Sequence, residues 1–160
     1  MLLPASVLLR RADAVDVIGA GLLAAAGGLG HRRVAGVVGR PASTVRGWLR
    51  RAARVGDRVL AVCAAAAAWF GRDFTAPAPT GATTGAADTG AVAAVVEMVG
   101  ALGRAAGRRL GGSRSPWRLA AVVSSGRLLS PDGPSLTVLD SDLVVAVKDP
   151  GNTNSLLAPG

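Results

Sequence analysis

Over residues 42–54 the apolar and polar side chains fall on opposite sides of a helix. Val45, Trp48, Leu49 and Ala52 recur at helical spacing on one side; Ser43, Arg46, Gly47, Arg50 and Arg54 recur on the other. A segment patterned this way is stable only as a half-buried helix, so a core must lie beneath it. Gly39 and Pro41 fix its start. Glycine enters the left-handed conformation without strain and so ends the preceding element. Proline in a first helical turn forfeits no hydrogen bond. Ahead of this turn, His31–Val38 predicts a helix of about two turns, with Val34, Ala35 and Val38 facing inward. Earlier still, Val15, Ile18, Leu22, Ala25 and Leu29 mark a first helix. Asp13 is expected to cap it, Asp16 to complement its dipole, and Gly27, Gly28 and Gly30 to end it.

The second and third of these helices carry nearly all of the net charge. Of the whole-chain +8, a balance of +7 lies between His31 and Arg58, where eight arginines (Arg32, Arg33, Arg40, Arg46, Arg50, Arg51, Arg54 and Arg58) meet one acid, Asp57. The rest of the chain is close to neutral, with ten basic and nine acidic side chains. All basic residues but Lys148 are arginine, whose planar fork suits phosphate and guanine. A basic helix–turn–helix pattern points to duplex DNA, its third helix in the major groove.

The remaining sequence keeps the chain in the all-α class. Alanine, the strongest helix former, accounts for 32 residues, and only five are aromatic, so the core is expected to form where helices approach closely. The third helix is expected to run on through the apolar stretch Val59–Phe70, with a weak point at Gly56-Asp57. Residues 71–88 read as a linker, rich in proline, glycine and threonine. Val92, Val95, Val96, Val99, Leu102, Ala106 and Leu110 then mark a further helix, and Ser115-Pro116 opens a short one that Gly126 closes. The expected partition is a three-helix unit over 10–70, a linker over 71–88, a helical pair over 89–127 and a poorly ordered tail over 128–160. Leu136–Leu139 and Leu143–Val147 read as a small hairpin or a frayed segment. Two helices alone bury little, so the 92–110 stripe is expected to dock on the first unit or to mediate self-association or a partner contact.

No catalytic constellation stands out. Asp140, Asp142 and Asp149 lie in the tail rather than on a rigid frame, Ser124-Ser125 lacks a basic partner at readable spacing, and one histidine with one cysteine makes no zinc site. Cys63, inside the apolar run, reads as buried and inert. The expectation is a non-enzyme without cofactor or small-molecule substrate. Twelve apolar residues are too few to cross a bilayer, and no basic residue precedes Leu2–Leu9 as a secretory signal requires, so a cytoplasmic, nucleoid-associated protein without a membrane span is expected.

Over residues 30–51, Gly-His-Arg-Arg-Val-Ala-Gly-Val-Val-Gly-Arg-Pro-Ala-Ser-Thr-Val-Arg-Gly-Trp-Leu-Arg-Arg, the chain resembles the helix-turn-helix segment of homeodomain-like proteins related to bacterial transposases, in particular actinobacterial ones. The resemblance is strongest over 10–60 and weaker as far as about 128. It implies that Ala35 is the small residue of the first of the two helices and Gly39 the turn. It places Ser43, Thr44, Arg46 and Arg50 on the DNA-facing helix and Val45, Trp48 and Leu49 on its core side. Such proteins carry a cysteine-rich, zinc-ribbon-like segment ahead of the helices; this sequence has none, and a member lacking it is expected. The sequence-level expectation is therefore sequence-specific duplex DNA binding in a transposase-related or regulatory protein without a catalytic domain. Ser43, Thr44, Arg46 and Arg50 face DNA, and Arg32, Arg33, Arg40, Arg51 and Arg54 anchor phosphates. The competing expectation is an alanine-rich helical interaction protein whose arginines bind acidic partners or anionic membrane.

Overall fold

A computed structural model describes residues 13–71, 75–77, 87–111 and 115–134. Five helices follow one another: α1 (Val15–Ala26), α2 (His31–Val38), α3 (Ala42–Phe70), α4 (Ala87–Leu110) and α5 (Pro116–Val123). The described residues form helices and turns, in keeping with the all-α class.

The helix ends follow the local chemistry. Gly39 takes the left-handed conformation (φ 63°, ψ 41°) at the end of α2, and Arg40 N–H bonds the Ala35 carbonyl across it. Pro41 immediately precedes α3. Ser115 caps α5 by accepting from the Arg118 N–H, and Pro116 occupies the first turn. At α1 Asp16 lies in the first turn as expected, but the expected cap by Asp13 fails. The N-cap is Ala14, with no side-chain cap. Asp13 instead pairs with Arg40, and Asp16 with Ser115 and Arg118. Each carboxylate is thereby charge-paired with an arginine that the fold brings near.

Helix α3 is continuous for 29 residues, about 43 Å. Gly56 does not break it, because α4 lies against it there. A methyl group at Gly56 would sit 3.7 Å from Val95 and 4.0 Å from Ala91. Leu49 and Val92 share one cleft wall, and the Arg109 guanidinium lies 5.5 Å over the Trp69 ring. The contacting pairs 49/92, 56/95 and 69/109 advance together, so α3 and α4 run parallel.

The 92–110 stripe therefore docks within the chain. Val92, Val95, Val99, Leu102 and Ala106 join Val55, Val59, Cys63, Ala66 and Ala67 in one core continuous with Val15, Ile18, Leu22, Val34, Val45 and Trp48. Helix α5 closes this core across α1 and α4. The Trp117 ring lies directly over Gly19, where a Cβ would meet its atoms at 2.4 Å, and Pro116 lies over Gly103, where a Cβ would meet it at 2.7 Å. Chain order also extends beyond α5. Leu128 and Leu129, assigned to the tail by sequence, are buried, because two turns fold them back onto the helices. Arg58 donates to the Asp132 carbonyl and ties this segment to α3. Most of the linker and residues 135–160, with the 136–147 hairpin reading, lie outside the described residues.

Two outcomes test this packing. Gly19→Ala should lower the free energy of unfolding by about 1–3 kcal/mol, despite alanine's better helix propensity, because the Trp117 ring must move. A urea titration showing equal or greater stability would contradict the Gly19–Trp117 contact. Partial burial raises the Asp16 pKa, but hydrogen bonds from Ser115 and Arg118 and the Arg118 charge outweigh it and hold the carboxyl below its ordinary value. A depressed folded pKa stabilises above the unfolded pKa, and that stability is lost as pH falls through the folded one. The loss of stability below about pH 4 should therefore be shallower in Asp16→Asn than in the native chain, as read from melting temperature against pH.

Candidate nucleic-acid interface

The basic surface forms where α2 folds back across the turn against α3, so that His31 at the start of α2 shares a cleft with Arg46 and Arg50 of α3. On α3 the core side is Val45, Trp48 and Ala52, all buried. A Cβ added at Gly21 of α1 would meet the Trp48 ring at 3.4 Å and Val34 of α2 at 3.6 Å, so one indole sits where all three helices meet. With that side fixed, Ser43, Arg46, Arg50 and Arg54 are exposed, while Thr44 and Arg51 stand half-buried at the flank. Arg32 and Arg33 are exposed on the first turn of α2. Leu49, expected in the core, is only partly buried, because the start of α4 leaves a cleft beside it.

The arginines of this window divide by partner. Arg40 donates to Asp13 and, through a second nitrogen, to the Gly39 carbonyl at 3.2 Å, while Arg58 serves the Asp132 carbonyl. The side chains of Arg32, Arg33, Arg46, Arg50, Arg51 and Arg54 have no hydrogen-bonded or ion-paired partner among the described residues. Six guanidiniums thus stand open around the α2–α3 turn and along the outer side of α3. Arg50, Arg51 and Arg54 surround Gly47 in a shallow cleft of about 250 Å³. A Cβ at Gly47 would meet nothing within 4 Å, so its role there is to leave space.

A second cleft, about 310 Å³, shares Arg50 with the first. Leu29, Leu49 and Val92 give it apolar walls, and His31, Arg46 and Arg50 give it polar ones. Sequence reasoning did not foresee it, since it depends on where α4 begins beside α3.

Other candidate groups are engaged elsewhere or lie outside the described residues. Burial pushes the Cys63 thiol up to about 12, so it carries no thiolate at neutral pH. Ser124 is buried and donates to the Ala121 carbonyl at 3.1 Å. Asp140, Asp142 and Asp149 fall outside the described residues. Thr89–Leu110 of α4 has the length and mean hydropathy (1.3) of a bilayer-crossing helix, and 44% of that stretch is buried within the fold. No protein family, curated protein or solved structure matches the chain.

Proposed function

We propose that α2, the Gly39–Pro41 turn and α3 form a helix-turn-helix that binds duplex DNA, in a transposase-related or regulatory protein without a catalytic domain of its own. The observation that carries this reading is the set of six arginines without a partner among the described residues, in a chain whose α1 acids are engaged by Arg40, Ser115 and Arg118. A surface that holds so many like charges without internal compensation is built for an anionic partner. The three-residue, glycine-containing turn and the half-exposed second helix favour a groove over a flat surface.

In this reading Ser43, Thr44, Arg46 and Arg50 face the bases from the first turns of α3, with Gly47 admitting the DNA closely. Arg32, Arg33, Arg51 and Arg54 meet phosphates. Arg40 uses donors that Asp13 leaves free, since a guanidinium carries five N–H groups. The cytoplasmic, nucleoid-associated setting follows from the partner.

Duplex binding should weaken steeply with salt, with a log–log slope of about −4 to −5 if five arginines displace counterions. Arg46→Ala should cost about 1–3 kcal/mol on a selected target and flatten base preference at one position, whereas Arg54→Ala should weaken selected and random duplexes alike. Fluorescence anisotropy on both duplexes measures these effects. Affinity indifferent to salt, or equal losses on both duplexes for Arg46→Ala, would remove the assigned roles. Tighter binding to anionic liposomes than to DNA would favour the interaction-protein reading instead.

A further inference from the structure

The cleft beside Leu49 combines features that DNA binding does not use. Its floor is aliphatic, formed by Leu29 after α1, Leu49 of α3 and Val92 of α4. Its rim carries Arg46 and Arg50, both exposed, and among the described residues neither has a partner and no carboxylate lines the cleft. At about 310 Å³ it falls at the small end of ligand pockets. A DNA phosphate would satisfy the arginines but leave the aliphatic floor wet. A neutral apolar molecule would fill the floor but leave the two cations beside a desolvated surface without a counter-charge. The complementary ligand is an amphipathic anion, with an apolar body against the floor and a carboxylate on the rim, where a guanidinium binds it by two parallel hydrogen bonds.

We infer that this cleft binds a small aliphatic carboxylate, and that because the carboxylate occupies Arg46 and Arg50, its binding excludes DNA from α3. The exclusion rests on the proposed DNA reading; the carboxylate site does not. Linkage makes the effect reciprocal, so DNA must also weaken the carboxylate by the same factor.

The full chain would be titrated with decanoate below its micelle concentration, by calorimetry and by melting temperature, with decanol and inorganic phosphate as parallel probes. Decanoate should bind and raise the melting temperature, decanol and phosphate should do neither at equal concentration, and saturating decanoate should weaken duplex binding by about fivefold or more. Arg46→Gln, at an exposed position that leaves the core intact, should weaken decanoate by about tenfold. Leu29→Ala should weaken it too while leaving duplex affinity unchanged, with helicity measured alongside; if that variant unfolds, Arg46→Gln decides. Absence of decanoate binding, equal binding of decanol, equal binding of phosphate, or an unaffected Arg46→Gln would each overturn the site. Decanoate binding with undiminished duplex affinity would overturn the shared arginines. Decanoate binding by a chain that binds no duplex at all would leave the cleft standing and bring down the DNA reading alone.

Discussion

The parallel contact of α3 with α4 is the constraint on which the rest of the molecule depends. A helix of 29 residues cannot bury its apolar side against α1 and α2 alone, which are 12 and 8 residues long. Beyond Ala52 the covering surface is α4, and the fit is made with small residues. Gly56 admits Val95, and Cys63, Ala66 and Ala67 lie in the core with Leu102 and Ala106. A core with few aromatic side chains gains burial through close backbone approach, and dispersion falls off steeply when that approach is lost. The same contact fixes the rotation of α3 about its own axis, which decides that Arg46, Arg50 and Arg54 face outward.

Charge placement follows from that geometry. Asp13 and Asp16 flank the start of α1, and the fold delivers Arg40 to one and Arg118 to the other. Arg58 holds the segment after α5, and Arg109 rests on Trp69. Arg40 and the arginines at the edges of the core are thereby engaged, and among the described residues those on the first turn of α2 and the outer side of α3 are left open. Concentrated like charge is unfavourable to the folded chain itself, and a polyanionic ligand turns that repulsion into attraction.

Local chemistry was legible in the sequence because the signals were local. Gly39 with Pro41 marked the start of α3, and Ser115-Pro116 the start of α5. The exposed and buried sides of 42–54 were legible for the same reason, with Leu49 the exception. What escaped depends on residues far apart in the chain. Asp13 looked like a cap because Arg40, 27 residues later, gives no periodic sign of its approach. Nothing in the local sequence marked Gly19 as the seat of Trp117, which lies far along the chain. Leu128 and Leu129 follow a glycine, and two residues are too short a run to show a period. The cleft at Leu49 was invisible for the same reason, being formed by three separate elements.

The central claim is that position, rather than net charge, makes this surface bind DNA. It is tested most directly by two variants that remove equal charge: Arg46→Gln/Arg50→Gln/Arg54→Gln on α3, and Arg104→Gln/Arg108→Gln/Arg109→Gln on α4. Duplex affinity of both would be measured at one ionic strength, with helicity compared to the native chain. The account predicts a loss of about a hundredfold or more for the α3 triple, from several charge-assisted contacts removed together, and little change for the α4 triple. Equal losses from the two, in chains of unchanged helicity, would contradict it.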